Sequence, residues 1–301
     1  MTELLPHPVT RQTFASPVPA GTGWPDDPAA PDTPVARTAA EVAALADTTD
    51  LGELDARVSV CSACPRLVHW REDVARAKRA SFAQQPYWGR PIAGWGSRSP
   101  RVLIVGLAPA ANGGNRTGRV FTGDSSGDWL FASLHRVGLA AQETSLHAGD
   151  GQALIGARMV ATVRCAPPDN RPTTEERDTC APWITREVAL LAPSVRVVVA
   201  LGGYGWDATL RTFAAAGYGV PRPKPKFGHG ASAELAGPSD DTPGVTLLGS
   251  YHPSQQNTFT GRLTTDMLDD VLGRAASLAG LRQPVVQEVA QQPARDPRTL
   301  G

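Results

Sequence analysis

Four cysteines are the residues of this sequence best suited to binding a metal. Cys61 and Cys64 form a C-x-x-C pair that a proline follows. Cys165 and Cys180 have fourteen residues between them. Four thiolates can surround zinc or a 4Fe–4S cluster. Zinc sites often use two short C-x-x-C pairs, so the wide second spacing favours a cluster slightly and leaves zinc open. A thioredoxin-like redox pair is disfavoured, because the C-x-x-C pair lies in a polar helical segment and not in a βα turn.

Asp124, Asn170 and His252 have side chains that can support electrostatic or acid–base catalysis. A carboxylate can stabilise a developing cation or orient water, and a histidine can donate a hydrogen bond to a developing anion. Each residue also has an ordinary structural interpretation. Asp124 precedes Ser-Ser-Gly and suits a helix N-cap. Asn170 lies between Pro-Pro-Asp and Arg-Pro, which is typical of a turn, and His252 could cap the end of a strand.

An alternation of strands and helices would position these side chains. Apolar strands are predicted at 102–107, 158–163, 195–201 and 245–249, and helices at 126–137, 173–191, 204–215 and 263–278. Strands that are apolar throughout and alternate with helices indicate a parallel sheet covered on both faces. We therefore predict a three-layer α/β/α fold with a central, mostly parallel four-stranded sheet. Ligands of such sheets bind beyond the carboxyl ends of the strands, and the segments that carry Asp124, Asn170 and His252 each follow a strand.

The charges are distributed unevenly along the 301 residues, although the net charge of the chain is zero. Residues 1–56 contain nine acidic and two basic residues, which leaves a net charge of +7 on the remainder. A basic folded part suits a phosphate-bearing partner such as nucleic acid. A chance excess of basic residues on a solvated surface is the alternative.

The two ends of the chain differ in composition from its middle. Residues 1–50 are rich in Pro, Ala, Thr and Asp and predict an acidic arm that is largely disordered or draped over the domain. Residues 51–281 are expected to form a single domain in which 217–244 is a long loop, and residues 282–301 a flexible tail. We find neither an apolar run of the roughly 18 residues that span a membrane nor a secretory signal, and we expect a cytoplasmic monomer.

Three segments resemble the uracil-DNA glycosylase superfamily, and in particular its iron–sulfur branch, called family 5 or the UdgB type. They are residues 106–124, 163–170 and 251–264, with the sequences GLAPAANGGNRTGRVFTGD, VRCAPPDN and YHPSQQNTFTGRLT. The resemblance covers roughly residues 55–280. It implies a DNA-repair enzyme that hydrolyses the N-glycosidic bond of uracil after the nucleotide has been flipped out of the duplex. The cysteines fall where this branch places its cluster ligands, which implies a structural 4Fe–4S cluster held by Cys61, Cys64, Cys165 and Cys180.

The resemblance also implies roles for single residues. His252 would donate a hydrogen bond to uracil O2, and Asp124 would orient water and stabilise the oxocarbenium ion. Asn170 would contact the base or the water. The backbone N–H groups of Leu107 and Ala108 would face the base oxygen, and the Phe121 ring would stack on the base. The segment from 254 to 262 would enter the DNA groove. The expected DNA contacts are Arg116, Arg119, Ser254, Gln255, Gln256, Asn257 and Arg262.

The chain departs from the better-known glycosylases at two places. Ala108 lies near the position where others carry an acidic residue that activates water, so a non-catalytic relative that recognises damaged DNA remains an alternative. Residues 161–165 lack the asparagine that reads the uracil edge, so we predict activity on hypoxanthine or xanthine as well as uracil. A phosphate-binding hydrolase that uses the glycine-rich residues 113–118 is a weaker alternative, because the Gly-Lys-Ser/Thr of a P-loop is absent.

Overall fold

The structure is a computed structural model that describes residues 3–281, so the expected tail at 282–301 lies outside the described residues. A six-stranded sheet forms its centre, with the strand order β3-β5-β4-β6-β8-β7, and β1 and β2 form a separate small sheet. The strands are β1 Leu5–Pro6, β2 Thr13–Phe14, β3 Trp95–Gly96, β4 Val102–Gly106, β5 Ala157–Ala161, β6 Val197–Leu201, β7 Ser232–Leu235 and β8 Val245–Ser250.

Nine α-helices are present in residues 3–281, together with 3-10 turns at Ala80–Phe82 and Pro168–Asn170. The helices are α1 Ala39–Ala46, α2 Leu51–Ser59, α3 Pro65–Ala77, α4 Gly114–Thr117, α5 Ser125–Arg136, α6 Thr174–Leu191, α7 Gly202–Ala215, α8 Gln255–Phe259 and α9 Thr265–Leu278. The Thr-x-x-Glu pattern at residues 173–176 is typical of a capping box, and α6 begins with one. Thr173 Oγ1 accepts a hydrogen bond from the Glu176 N–H, and the Glu176 carboxylate accepts one from the Thr173 N–H.

The four predicted strands are present as β4, β5, β6 and β8, and they pair in parallel. The prediction of four strands was incomplete, because β3 pairs antiparallel with β5 and β7 pairs antiparallel with β8 at the two edges. β3 has only two residues. β7 lies in the Gly- and Pro-rich region that suggested a loop, and only Ala233 and Leu235 in it are buried. Such short edge strands carry too few apolar residues to be recognised from sequence.

Each face of the sheet is covered by helices, which confirms the three-layer α/β/α fold. On one face, Ile104 lies in a hydrophobic cluster with residues of α5 and α9, such as Leu130 and Leu272. On the other face, Leu103 lies in a second cluster with residues of α6 and α7, such as Trp183 and Phe213. The continuous apolar strands therefore reflect burial on both sides. None of the helices in residues 3–281 combines the length and the apolar character that a membrane span needs.

Residues 3–50, for which composition suggested a disordered or draped arm, lie along the domain. Phe14, Val18 and Trp24 are buried in the same cluster as the sheet, and α1 packs on α6. These anchoring residues follow neither a helical nor a strand period, and their partners lie far away in sequence. The pattern of the arm alone therefore gave no sign of its packing.

Candidate active site

A cavity of about 510 Å³ lies at the carboxyl ends of the parallel strands. This volume falls within the range of about 300–1,000 Å³ that is usual for small-molecule sites. Asp124, Asn170 and His252 all line it, as do Leu107, Ala108 and Phe121. The structure therefore brings together, around one cavity, the three segments that sequence analysis placed at this edge of the sheet.

Asp124 both caps a helix and faces the cavity. It is the N-cap of α5, and its Oδ1 accepts a hydrogen bond of 2.9 Å from the Gly127 N–H. Its Oδ2 lies against Gly113, where a Cβ atom would come within 2.0 Å of that oxygen, so a glycine is required there. Burial raises the pKa of the Asp124 carboxyl, and backbone N–H groups and the Arg116 guanidinium only partly offset this effect. The carboxylate is thus poorly solvated and well placed to interact with a positive charge in the cavity.

His252 follows β8 and remains neutral at physiological pH. Burial lowers the pKa of its imidazole to about 4. Among residues 3–281, neither ring nitrogen of His252 has a hydrogen-bond partner, while its backbone C=O accepts a bond of 2.8 Å from Asn257 Nδ2. A neutral imidazole with one free N–H can donate a hydrogen bond to an oxygen in the cavity without adding a charge.

Phe121 forms an aromatic wall of the cavity in a strained backbone conformation. Its φ is 51°, in the left-handed region that non-glycine residues rarely adopt. The ring lies over Gly106, where a Cβ atom would meet Phe121 Cζ at 2.5 Å, and its centroid is 6.1 Å from that of His252. Strain of this kind persists where surrounding contacts enforce it, and it is frequent in binding sites.

The backbone after β4 offers two hydrogen-bond donors. Neither the Leu107 N–H nor the Ala108 N–H has an acceptor in the part of the chain that the structure describes, and both residues line the cavity. The Leu107 C=O, in contrast, accepts bonds from the Val163 N–H and from Thr162 Oγ1. The segment is therefore held in place while its two N–H groups stay available for a ligand oxygen.

Asn170 lies at the rim of the cavity and is exposed. It ends the 3-10 turn after β5 with a φ of 55°, and its N–H bonds to the Pro167 C=O at 3.3 Å. Its side chain has no hydrogen-bond partner within residues 3–281. Asn170 is thus both a turn residue and a free amide at the site.

Arg116 and Arg119 are predicted from the sequence to contact DNA, but the structure places both side chains inside the protein. Both are buried, with 5% and 2% of their surface exposed. Arg116 donates to Asn112, Gln85 and Gly123 and lies 3.9 Å from the Phe82 ring centroid. Arg119 pairs with Asp150 and Asp26. A buried arginine and an exposed one have the same signature in sequence, so only the fold separates them.

The segment from 254 to 262 forms α8 and one side of the cavity mouth. Gln255 and Gln256 are exposed, whereas the Asn257 amide is engaged with the His252 C=O and so positions that loop. Arg262 is exposed, with its guanidinium carbon 4.6 Å from the Tyr251 ring centroid. Ser254, Gln256, Asn257 and Arg262 line the cavity.

Two exposed aromatic residues near the cavity were missed by the sequence analysis. Phe259 in α8 is 78% exposed, and Tyr204, which lines the cavity at the start of α7, is 71% exposed. An exposed aromatic ring beside a binding cavity is available to contact a ligand. The only signal for Phe259 was an aromatic residue among the polar ones of the third segment.

His229 was also missed, because it lies in the region that the sequence suggested was a loop. Its Nδ1 accepts a hydrogen bond of 3.2 Å from the Tyr251 N–H, and its Nε2 lies 3.1 Å from the Met267 C=O. A backbone N–H can only donate, so the ring is the neutral Nε2–H tautomer and donates to Met267. His229 thereby fixes the backbone immediately before His252.

The four cysteines surround one small, mostly buried cavity between α1, the α2–α3 turn, α3, α6 and the loop after β5. All four are free thiols. Burial, together with the proximity of Cys165, raises the pKa of Cys61, Cys64 and Cys180, and the pKa of Cys64 reaches about 12. As they stand, no three Cys, His, Asp or Glu side chains within residues 3–281 are arranged to hold a metal ion.

The surroundings of the thiols fit a negatively charged group. Arg71, which is 3% exposed, donates to Cys165 Sγ at 2.9 Å. Arg71, Arg164 and Trp183 line the cavity, and each has a buried side-chain N–H without an acceptor among the described residues. Unpaired buried donors are costly, so their gathering around four thiols indicates an acceptor at this place.

Comparison with known proteins agrees with the geometry of the site. The family model described as Uracil DNA glycosylase superfamily matches residues 93–275. The chain belongs to this superfamily. Relatives in the superfamily include the type-5 uracil-DNA glycosylase of Mycobacterium bovis, 56% identical over 276 residues, which are 91% of this chain and 99% of the relative. The type-5 enzyme of Thermus thermophilus is 49% identical over 224 residues, 74% of this chain and 96% of the relative. The type-5 enzyme of Pyrobaculum aerophilum is 43% identical over 224 residues, which are 74% of this chain and 91% of the relative.

Proposed function

We propose that the protein is a uracil-DNA glycosylase that removes uracil, and also hypoxanthine and xanthine, from DNA and leaves an abasic site. The observation that carries the proposal is one cavity in which the Asp124 carboxylate, the neutral His252 imidazole and two free backbone N–H groups converge. The names of the type-5 relatives support the uracil activity.

The arrangement suits the two charges that develop when an N-glycosidic bond breaks. The sugar becomes an oxocarbenium cation, which the Asp124 carboxylate stabilises. Uracil leaves as an anion, and His252 together with the N–H groups of Leu107 and Ala108 donates hydrogen bonds to its O2. Fixed donors of this kind each lower the barrier by about 3–4 kcal/mol in known enzymes.

Water activation falls to Asp124 and Asn170, because Ala108 has no acidic side chain. After the uracil anion has left, the oxocarbenium ion is a strong electrophile. The attacking water must therefore be oriented towards the sugar carbon, and it does not need a strong base to deprotonate it first. Asp124 and the free amide of Asn170 line the same cavity and are able to hold such a water between them.

Broad base selectivity follows from the walls of the cavity. The side chains of Leu107, Ala108, Phe121 and Phe227, which line the cavity, are apolar. A site that forms few obligatory hydrogen bonds with the base edge rejects alternative bases weakly.

The proposal is tested with duplex oligonucleotides that carry one uracil, hypoxanthine, xanthine or thymine, treated with alkali after incubation. We expect strand cleavage at the first three bases and none at thymine. Cleavage confined to uracil would refute the broad selectivity alone. Binding without cleavage at any base would favour the non-catalytic relative. Nucleotide hydrolysis without base release would favour the phosphate-binding hydrolase.

We further propose that Cys61, Cys64, Cys165 and Cys180 hold a 4Fe–4S cluster with a structural role. When bound, the cluster links the α2–α3 turn, the loop after β5 and α6 through iron–thiolate bonds. Arg71 and Trp183 would donate hydrogen bonds towards its sulfur atoms. Because Asn170 lies five residues after Cys165, the link also steadies the loop that carries Asn170.

The excision rate is expected to fall in acid because Asp124 must be ionised. Burial raises the pKa of Asp124, so the acid limb should have its midpoint above the ordinary value of 3.8. His252, with a pKa lowered to about 4, is neutral above about pH 5 and therefore adds no step near pH 6.5. Single-turnover rates between about pH 4 and pH 8 check this. A rate that rises on protonation near pH 6.5 would show that His252 acts as a cation.

Phe259 is expected to fill the gap in the duplex that the flipped nucleotide leaves. An exposed aromatic ring can insert between base steps and offset their unstacking. We expect Phe259→Ala to lower single-turnover excision from duplex DNA about tenfold or more, with a much smaller effect on single-stranded DNA, where no gap needs filling. Equal losses on both substrates would contradict the role.

Arg262 is expected to contact a phosphate near the flipped nucleotide. Arg262→Gln should weaken binding of uracil-containing and undamaged DNA equally and reduce the slope of log K against log salt by about 1. Arg211→Gln, which removes another exposed arginine that does not line the cavity, is the matched control. Binding insensitive to salt would contradict the electrostatic account.

A further inference from the structure

We propose that residues 3–30 of the N-terminal arm are a positioning element of the active site. They hold Gly123, and thereby Asp124, in place. The arm lines no part of the cavity, so its action is indirect. The inference rests on the proposed function, because it assigns the arm to the loop that carries the proposed catalytic carboxylate.

A buried ion pair docks the arm on the domain. The Asp27 carboxylate accepts two hydrogen bonds of 2.9 Å from Arg90, and their side chains are 3% and 9% exposed. Arg90 also bonds to Ser59 and lies 3.9 Å from the Trp88 ring centroid. A carboxylate buried so completely serves a fixed contact and not solubility.

Two aromatic contacts complete the docking. Trp24, which is 3% exposed, packs on Gly118, where a Cβ atom would lie 2.7 Å from its indole nitrogen. The His7 ring meets the His147 ring edge-on, with the centroids 4.3 Å apart. Burial lowers the pKa of both imidazoles, to about 4 for His7 and about 3 for His147, so the contact is between neutral rings.

One chain of hydrogen bonds leads from the arm to the Gly123 N–H. Asp26 contacts Arg119 Nη2 at 3.3 Å, and Arg119 Nη1 bonds to Ser145 Oγ at 3.2 Å and Asp150 at 2.7 Å. The Ser145 hydroxyl lies 2.8 Å from that of Thr122. The Ser145 C=O accepts a hydrogen bond of 3.1 Å from the Gly123 N–H.

A second chain reaches the Gly123 C=O. The Val18 N–H donates to the Trp88 C=O at 3.0 Å, and the Trp88 N–H donates to the Arg116 C=O at 3.1 Å. Arg116 Nη2 then donates to the Gly123 C=O at 2.7 Å. Ser145 holds the Gly123 N–H and is linked to the arm through Arg119. Arg116 holds the Gly123 C=O and is linked to the arm through Trp88.

The position of Asp124 depends on this fixation. Phe121 has a positive φ of 51°, which a non-glycine residue adopts only where surrounding contacts enforce it, so the segment that leads to Asp124 depends on such contacts. Displacement of a catalytic group by about 1 Å costs up to about a hundredfold in rate. Release of the arm should therefore reduce turnover without removing any group that touches the substrate.

The test compares Asp27→Asn with Asp32→Asn, which removes the same charge from an exposed position of the same arm beyond residue 30. For Asp27→Asn we expect faster amide hydrogen exchange in residues 117–124 and a single-turnover excision rate reduced about tenfold or more. We expect the Kd for DNA with a non-hydrolysable 2′-fluoro-deoxyuridine and the iron content to be unchanged. Asp32→Asn should match the parent protein in all four measurements.

A second pair keeps the test decisive if Asp27→Asn does not fold. Trp24→Ala should show the same faster exchange and lower rate, and Trp24→Phe should restore most of both. Unchanged exchange in residues 117–124 in a folded variant would overturn the proposal. Exchange does not depend on catalysis. Faster exchange in the variants, together with a parent protein that excises no base, would therefore uphold the positioning and refute the proposed function.

Discussion

Asp124→Asn is expected to lower the single-turnover rate of uracil excision by about a hundredfold to a thousandfold. Asparagine keeps a side-chain oxygen that can accept the Gly127 N–H, so the cap of α5 is retained. What is lost is the negative charge that faces the developing oxocarbenium ion. The measurement is rapid-quench excision with enzyme in excess over a uracil-containing duplex.

The thermal stability of this variant separates a catalytic role from a structural one. Burial raises the pKa of Asp124 in the folded state above its value in the unfolded state. The contribution of this carboxyl to the free energy of unfolding is therefore largest in acid and is lost as the pH rises through the folded-state pKa. At neutral pH the ionised carboxylate therefore costs stability, and Asp124→Asn should melt at the same temperature or higher. A full excision rate in this variant would end the catalytic assignment.

Cys61→Ala is expected to abolish the brown absorbance of an iron–sulfur chromophore and most of the soluble protein together. Removal of one thiol leaves three ligands and leaves Arg71 and Trp183 near an unfilled cavity. Loss of a structural metal centre commonly removes the folding free energy that its binding supplies. The measurements are iron and acid-labile sulfide per chain, the visible spectrum and the soluble yield.

Ser62→Ala is the matched control for this variant, because it alters the same turn without removing a thiol. It should keep the iron, the colour and the yield of the parent protein. A colourless Cys61→Ala protein that is soluble and fully active would contradict the structural cluster. One zinc ion per chain, with no labile sulfide, would show a mononuclear site instead.

The sequence predicted the features that depend on continuous local patterns. The four parallel strands were recognisable because each is an unbroken apolar run, and the start of α6 because Thr173 and Glu176 form a capping box. The gathering of Asp124, Asn170 and His252 followed from a general rule, since all three come after strands that end at the same edge of the sheet.

Features that depend on distant partners were not predictable in this way. Arg119 looked like a surface cation, because nothing near it in sequence shows that Asp150 and Asp26 pair with it inside the protein. Trp24 is an isolated aromatic residue in a segment whose composition suggests disorder, and its partner Gly118 is remote. His229 acts through its ring on the backbone at Tyr251, which no spacing rule connects to it.

The most direct test of the account is a crystal structure of the protein with duplex DNA that contains a non-hydrolysable 2′-fluoro-deoxyuridine. We expect the uracil outside the duplex in the cavity, against the Phe121 ring, with O2 within hydrogen-bond distance of His252 and the Ala108 N–H. The sugar C1′ should face Asp124. A uracil that stays stacked in the duplex, or that binds away from these residues, would contradict the account.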